Sequence, residues 1–198
     1  VPKDGRRMHD HPIPRMGGLA IFLGFLLSVL LFLELNPQMR GMLLGAVIIV
    51  VLGIFDDIYS LRAMFKFVVQ IVAALVAVLS GNVIEAVSNP NVFSADLYWE
   101  LGWLKIPVTI IWIVAITNAV NLIDGLDGLA CGVSTISSMT LLVIALVASE
   151  PNVAILMAAL AGGCLGFLPY NMNPAKIFMG DTGSTFLGYI LAVVSIQG

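Results

Sequence analysis

Charge is scarce in this sequence. Only 11% of its 198 residues are Asp, Glu, Lys or Arg, while 60% are hydrophobic; a soluble domain carries about 25% charged residues. That imbalance excludes an ordinary soluble fold. Cysteine is nearly absent too: Cys131 and Cys164 both lie inside apolar runs, with neither CxxC nor Cys/His ligand spacing. A zinc or haem site is therefore set aside, and the two thiols read as small packing residues. No basic patch suited to nucleic acid exists among the 9 Lys and Arg. Also missing are an initiator Met and a signal-peptide layout of basic head, apolar middle and small-residue cleavage site. The chain opens on V-P-K-D-G-R-R-M-H-D-H-P-I-P-R and stops within an apolar run, so it reads as a piece cut at both ends.

What is present is a series of long charge-free apolar runs separated by short polar islands. They cover 16–33, 41–55, 67–84, 106–123, 129–149, 151–168 and 182–198, which makes seven candidate spans. A β-barrel would alternate instead of running continuously. The expectation is all-α: a polytopic transmembrane helix bundle of about seven spans, forming a single integral-membrane domain over 1–198. The run 41–55 is short for a spanning helix, which needs roughly 17 to 25 residues, and has to recruit Arg40 by snorkelling. Pro/Asn turn signals after Leu33 and after Val147 fit helix hairpins. The sizeable loop is 85–105, where Tyr98, Trp99 and Trp103 beside Lys105 suit an interfacial aromatic belt or a small amphipathic element. Glycines recurring inside the runs fit close helix packing.

Numbering alternate loops tests sidedness, because short cytoplasmic loops collect Lys and Arg. One face holds Lys3, Arg6, Arg7, Arg15, Arg62, Lys66 and Lys176; the other holds Arg40 and Lys105. The first face is therefore predicted to be cytoplasmic. It also carries Asp56, Asp57, Asp124, Asp127 and Asp181, whereas Glu85, Asp96, Glu100 and Glu150 fall on the other.

Ionisable groups beside apolar spans are expensive and mark function by default. Asp56 and Asp57 close a span, where acids are disfavoured by the helix dipole. Adjacent carboxylates are stable with a cation or a shared proton. A Mg2+ ion bound by one or two carboxylates, waters and phosphate oxygens would supply that cation. Asn118, Asn121, Asp124 and Asp127 recur every third residue and share a face if the helix continues, but Gly125 and Gly128 point to a partial break. Asp181 heads the last apolar run, where a plain N-cap and a metal or phosphate site are equally allowed. Lys66 opens a span just after the Asp pair and is placed for a phosphate contact. His9 and His11 are spaced for a shared ligand or belong to a basic tail. Carboxylates, a divalent ion and basic groups at a membrane face suit phosphoryl transfer, with a lipid-borne acceptor.

Four motifs in order carry a resemblance: H-D-H-P-I-P-R-M-G-G, F-D-D-I-Y-S-L, N-A-V-N-L-I-D-G-L-D-G-L-A and N-M-N-P-A-K-I-F-M-G-D-T-G-S. Together they resemble the polyprenyl-phosphate N-acetylhexosamine-1-phosphate transferase family, the undecaprenyl-phosphate GlcNAc-1-phosphate type in particular. The resemblance implies a Mg2+-dependent enzyme, with Mn2+ as an alternative ion, in the plasma membrane with its site facing the cytoplasm. It would move a sugar 1-phosphate from a UDP-N-acetylhexosamine to undecaprenyl phosphate and release UMP, opening cell-wall or surface polysaccharide synthesis. Mapped by motif, Asp56 and Asp57 resemble the pair engaging lipid phosphate and metal, Asp181 the principal metal ligand, and Lys66 the lysine that follows the Asp pair. Asn118, Asn121, Asp124 and Asp127 resemble the nucleotide-sugar and catalytic pocket, and Asn171 and Phe178 the nucleotide site. Direct attack by the lipid phosphate with Asp56 as base and a covalent enzyme intermediate both stay open, and a homodimer is a candidate assembly. The family's His-bearing loop, its helices beyond the last motif and its helix before the first are not in the sequence, so residues 1–198 alone are expected to release no UMP. The alternatives are phospho-N-acetylmuramoyl-pentapeptide transferase within the family and, from another class, a cation or proton transporter with carboxylates in its cavity.

Overall fold

The computed structural model describes residues 14, 16–90 and 97–197. Lys3, Arg6, Arg7, His9, His11, Arg15 and Asp96 lie outside the described residues. Seven helices form among the described residues: α1 (Gly17–Phe32), α2 (Pro37–Tyr59), α3 (Ala63–Leu79), α4 (Lys105–Ile123), α5 (Leu129–Val147), α6 (Pro151–Asn171) and α7 (Gly180–Val194). Four stretches, Pro37–Tyr59, Gly102–Ile123, Leu129–Val147 and Pro151–Asn171, are long and apolar enough to cross a membrane, and Gly17–Phe32 and Ala63–Leu79 are shorter apolar helices. The protein is a multi-pass helical membrane bundle.

α7 is its axis. Every residue from Thr182 to Val194 is buried, the behaviour expected of a helix that is apolar on all sides. It packs chiefly against α2 and α4, with α1 closing a third side. Phe186 meets Phe22 and Phe25 edge-on, at ring-centroid separations of 5.3 and 5.5 Å, a preferred aromatic geometry. Two close approaches fix where α7 begins. Gly53 of α2 lies against the backbone of Thr182, and Gly18 of α1 against that of Gly183, so a Cβ at either would overlap main chain. The first turn of α7 is thereby pressed against the start of α1 and the end of α2.

Three boundaries differ from the sequence expectation, each for a local reason. α2 is a full 23 residues, not the short run 41–55, because its charged ends are helical: Asn36 caps it by accepting from Met39 N at 2.8 Å, Pro37 opens it, and Arg40 bonds back to the Leu35 carbonyl at 3.1 Å. α3 stops at Leu79, where Gly81 takes a φ of 101° that continues no helix. α6 runs through Pro169 to Asn171. The loop 85–105 folds as an antiparallel ribbon of β1 (Ala86–Ser88) and β2 (Tyr98–Glu100), with Val87 opposite Trp99, followed by a 3-10 turn over Gly102–Leu104. Among the described residues the two strands are the one departure from an all-α fold; Tyr98, Trp99 and Trp103 are exposed on and beside them.

Candidate active site

The turn from α2 to α3 is closed by Asp56 itself. Ser60 adopts φ 50° and donates its N–H to the Asp56 carbonyl at 2.8 Å, while Asp56 Oδ1 accepts from Leu61 N at 2.8 Å. The remaining oxygen, Oδ2, accepts from Lys66 Nζ at 2.6 Å, and the same ammonium lies 3.5 Å from Asp181 Oδ2. One lysine thus stands between two carboxylates drawn from different helices. Asp56 is 5% exposed, so the pair is costly without a cation near it.

Asp57, its neighbour in the chain, does something else. Its Oδ1 accepts from Asp181 N at 3.0 Å, and its Oδ2 from Thr182 N at 3.1 Å and Thr182 Oγ1 at 2.7 Å. These are the orphan amides of the first turn of α7, at the positive end of its dipole. The capping role allowed for Asp181 in the sequence therefore falls to Asp57 from across the α2 crossing. The position before α7 is Met179, which makes no side-chain capping bond, and Asp181 sits inside the first turn. Its own carboxylate is left to face Lys66 and Asn121.

α4 supplies the amides. Asn121 Nδ2 donates to Asp181 Oδ1 at 2.8 Å and to Ser184 Oγ at 2.9 Å. One turn deeper, Asn118 Nδ2 donates to Gln70 Oε1 at 2.6 Å and to the Val114 carbonyl at 2.8 Å. α4 ends at Ile123 and the next helix starts at Leu129, with Gly128 at φ 76°; the glycine break expected in this motif is present. Asp124 lies in that turn, and burial, reinforced by the negative charges of Asp181 and Asp57, pushes its carboxyl up to about 7.

Asp56, Lys66, Asn118, Asn121 and Asp181 converge on a cavity of about 480 Å³, whose floor includes Gln70. An apolar groove of about 320 Å³, lined by Ile71, Ile110, Ile111 and Val114, adjoins it and shares Phe67 and Asn118. Asp127, Asn171 and Phe178 are not among the residues that line this cavity. Asp127 Oδ2 accepts from Ala175 N at 3.0 Å, and Asn171 Nδ2 donates to the Ile177 carbonyl at 3.1 Å. Phe178 holds the N-terminal segment through its backbone, donating to Pro14 O at 2.9 Å and accepting from Gly17 N at 3.1 Å. Asp127, Asn171 and Phe178 thus belong to a strap packed over the helix ends. Gln70 went unnoticed in the sequence, although it is the one amide side chain within α3 and is only 3% exposed.

Among the described residues no group of three or more His, Cys, Asp and Glu surrounds a single ion position. The two carboxylates at Lys66 are nevertheless the one or two that Mg2+ asks of a protein, since this ion keeps waters and takes phosphate oxygens for the rest. The donor set fits.

Fold and site define a multi-pass helical membrane protein with an acidic, lysine-bearing cavity at one end, beside an apolar groove. The chain belongs to Glycosyl transferase family 4, whose profile matches residues 39–198. It is 47% identical over 194 residues to the probable undecaprenyl-phosphate N-acetylglucosaminyl 1-phosphate transferase of Bacillus subtilis (strain 168), covering 98% of this chain and 53% of that protein. It is 38% identical over 217 residues to the decaprenyl-phosphate N-acetylglucosaminephosphotransferase of Mycobacterium leprae, covering 96% and 52%. To the phospho-N-acetylmuramoyl-pentapeptide-transferase of Caldicellulosiruptor bescii it is 36% identical over 209 residues, covering 100% and 64%. The chain spans about half the length of the first two relatives.

Proposed function

We propose that the full-length protein transfers GlcNAc-1-phosphate from UDP-GlcNAc to undecaprenyl phosphate at the cytoplasmic face of the plasma membrane, releasing UMP. The observation that carries this reading is the Asp56–Lys66–Asp181 arrangement in a cavity that adjoins an apolar groove. The similarity to the Bacillus subtilis relative supports the sugar, and the Lys and Arg bias supports the side of the membrane. Transporter chemistry is disfavoured, because the carboxylates sit at helix ends and not in mid-span.

In the reaction, an oxygen of the lipid phosphate bonds to the phosphorus bearing the sugar, and the bond from that phosphorus to the bridging oxygen breaks, so that UMP leaves with the electron pair. Such a transfer needs positioning and neutralised charge more than covalent help from protein. Lys66 brings the positive charge, poised by Asp56 on one side and Asp181 on the other. Asp181 and Asp56 would hold Mg2+, with Mn2+ as a substitute, and the ion would neutralise phosphate charge there. Asp57 fixes the first turn of α7, and with it the direction of the Asp181 carboxylate. The apolar groove gives the lipid chain a path to the polar cavity.

The test uses the full-length protein with UDP-GlcNAc, UDP-GalNAc and UDP-MurNAc-pentapeptide as donors and UMP release as readout. UDP-GlcNAc is expected to be the preferred donor. Asp56→Asn and Asp181→Asn are expected to lose about a hundredfold or more, the scale of removing a preorganised charged group. Wild-type rates in both variants would sink the assignment, and preference for the pentapeptide donor would move the protein to the peptidoglycan branch of the family.

A further inference from the structure

Two asparagines of α4 face the cavity, and both are oriented by the same logic. An amide's oxygen and nitrogen are told apart by their partners. Asn118 contacts the Val114 carbonyl at 2.8 Å, a group that only accepts, so the nitrogen must lie on that side. Asn121 contacts the Asp181 carboxylate at 2.8 Å, which likewise accepts, so its nitrogen points there. Each nitrogen has two hydrogens, and both are spent: on Val114 O and Gln70 Oε1 for Asn118, and on Asp181 and Ser184 for Asn121. What remains is the carbonyl oxygen, which on Asn118 has one long contact, from Gln70 Nε2 at 3.4 Å.

The two are held by different means. Asn121 is oriented by a site carboxylate. Asn118 is oriented by the Val114 carbonyl of its own helix and by Gln70, a buried residue of α3 that reaches across the α3–α4 contact. Gln70 accepts through Oε1 at 2.6 Å, while its own Nε2 lies 3.4 Å from Asn118 Oδ1. The first contact is close and the second is long, so Gln70 secures the Asn118 nitrogen firmly and leaves the oxygen only loosely occupied. Asn118 also lines both the polar cavity and the apolar groove.

We propose that Gln70 is a positioning residue: it locks the Asn118 amide so that its carbonyl oxygen faces the cavity as an acceptor for a hydrogen-bond donor of the substrate. A sugar hydroxyl, an acetamido N–H and an ion-bound water share that chemistry. This inference rests on the transferase reading and adds to it a residue and a polarity. Without Gln70 the Asn118 nitrogen keeps the Val114 carbonyl as its one partner, and the oxygen is less closely aimed.

The test is a double-mutant cycle on the full-length enzyme with Gln70→Leu, Asn118→Leu and the pair, with Gln70→Glu as the conservative variant. Asp181→Asn serves as control. Gln70→Leu is expected to lower kcat/KM about tenfold, the scale of one lost neutral hydrogen bond and its alignment. The double variant is expected to fall no further than Asn118→Leu, because both changes remove one function. Gln70→Glu keeps the oxygen that holds the Asn118 nitrogen and is expected to recover at least half of the lost activity. Comparing UDP-GlcNAc with UDP-glucose, and Mg2+ with Mn2+, separates the donor groups: an acetamido partner makes the Gln70→Leu loss vanish with UDP-glucose, an ion-bound water makes it vary with the metal, and a hydroxyl partner leaves it constant. A wild-type rate in Gln70→Leu, additive losses in the cycle, or a loss that follows a lowered melting temperature and is not rescued by Gln70→Glu would each overturn the proposal. If Asp181→Asn is also fully active, the transferase reading fails first.

Discussion

The two ends of the bundle both carry cavities, and the larger one is at the end without the chemistry. The cavity at the acidic end measures about 480 Å³ and that at the opposite end about 690 Å³. At the opposite end the polar groups satisfy one another: Asn82 donates to the carbonyls of Gln38 and Ala77 at 3.1 Å each and accepts from Gln197, Gln38 donates to the Gly81 carbonyl at 3.2 Å, and Trp112 donates to Ser195 at 3.2 Å. Among its described lining residues Glu85 is the one ionisable group. At the acidic end carboxylates from α2 and α7 converge on one lysine. Neutral amides can close a network among themselves, whereas carboxylates brought together require a cation and so remain poised to take one. Charge convergence, and not volume, separates a candidate site from a structural joint.

Substitutions can break that contrast, and the largest effect is expected at Lys66. Lys66→Met removes the ammonium that stands between Asp56 Oδ2 and Asp181 Oδ2. UMP release from the full-length protein is expected to drop about a hundredfold or more, in line with removing a charged group from a phosphoryl-transfer site. Mn2+ bound without substrate, counted by electron paramagnetic resonance, is expected to increase, because the ion then meets an uncompensated carboxylate pair. Less bound Mn2+ together with an undiminished rate would mean that the lysine only braces the fold.

Asp57→Ala comes next, and it separates two adjacent residues. Losing the acceptor of the first α7 amides is expected to cost about 1–2 kcal/mol of stability, the scale of a lost N-cap. Activity is expected to fall with it, since the Asp181 carboxylate is no longer aimed. Asp181→Asn is expected to abolish turnover while leaving the melting temperature of the detergent-solubilised protein within a degree or two of wild type. Equal losses of stability in the two variants would erase the distinction between the capping Asp and the cavity-facing one.

That distinction was not legible in the sequence, and the reason is physical. The apolar runs show the helices because a helix in lipid must be apolar along its whole length, and all seven runs correspond to helices α1 to α7. The same one-dimensional reading placed Asp56, Lys66, Asn121 and Asp181 as candidates, since an ionisable or amide group at a span's end stands out against its neighbours. What it could not give is which atoms meet. Asp56 and Asp57 are consecutive, so on the helix they point about 100° apart; one reaches Lys66, ten residues on, and the other Thr182, 125 residues on. Gln70 has the reverse difficulty, since an amide within an apolar helix signals its importance but not its partner. Asp127, Asn171 and Phe178 are site candidates through the resemblance of their motifs, and the sequence could not show that Asp127, Asn171 and the Phe178 backbone also hold main chain at helix ends.

The opposite end provides the counter-test, with smaller effects. Asn82 is 1% exposed, and Asn82→Ala is expected to cost about 1–3 kcal/mol, because the Gln38 and Ala77 carbonyls and the Gln197 amide lose their partner in a buried place. Its kcat is expected to match wild type at temperatures where it stays folded. Trp112→Phe, which removes one exposed donor bond to Ser195 and keeps the ring's apolar contact, is expected to change stability by less than about 0.5 kcal/mol and activity not at all. The pair is informative because both residues line the larger cavity. If that cavity takes substrate, Trp112→Phe raises KM with stability unaltered. If it is a joint, Asn82→Ala alone registers, and only in the melting curve.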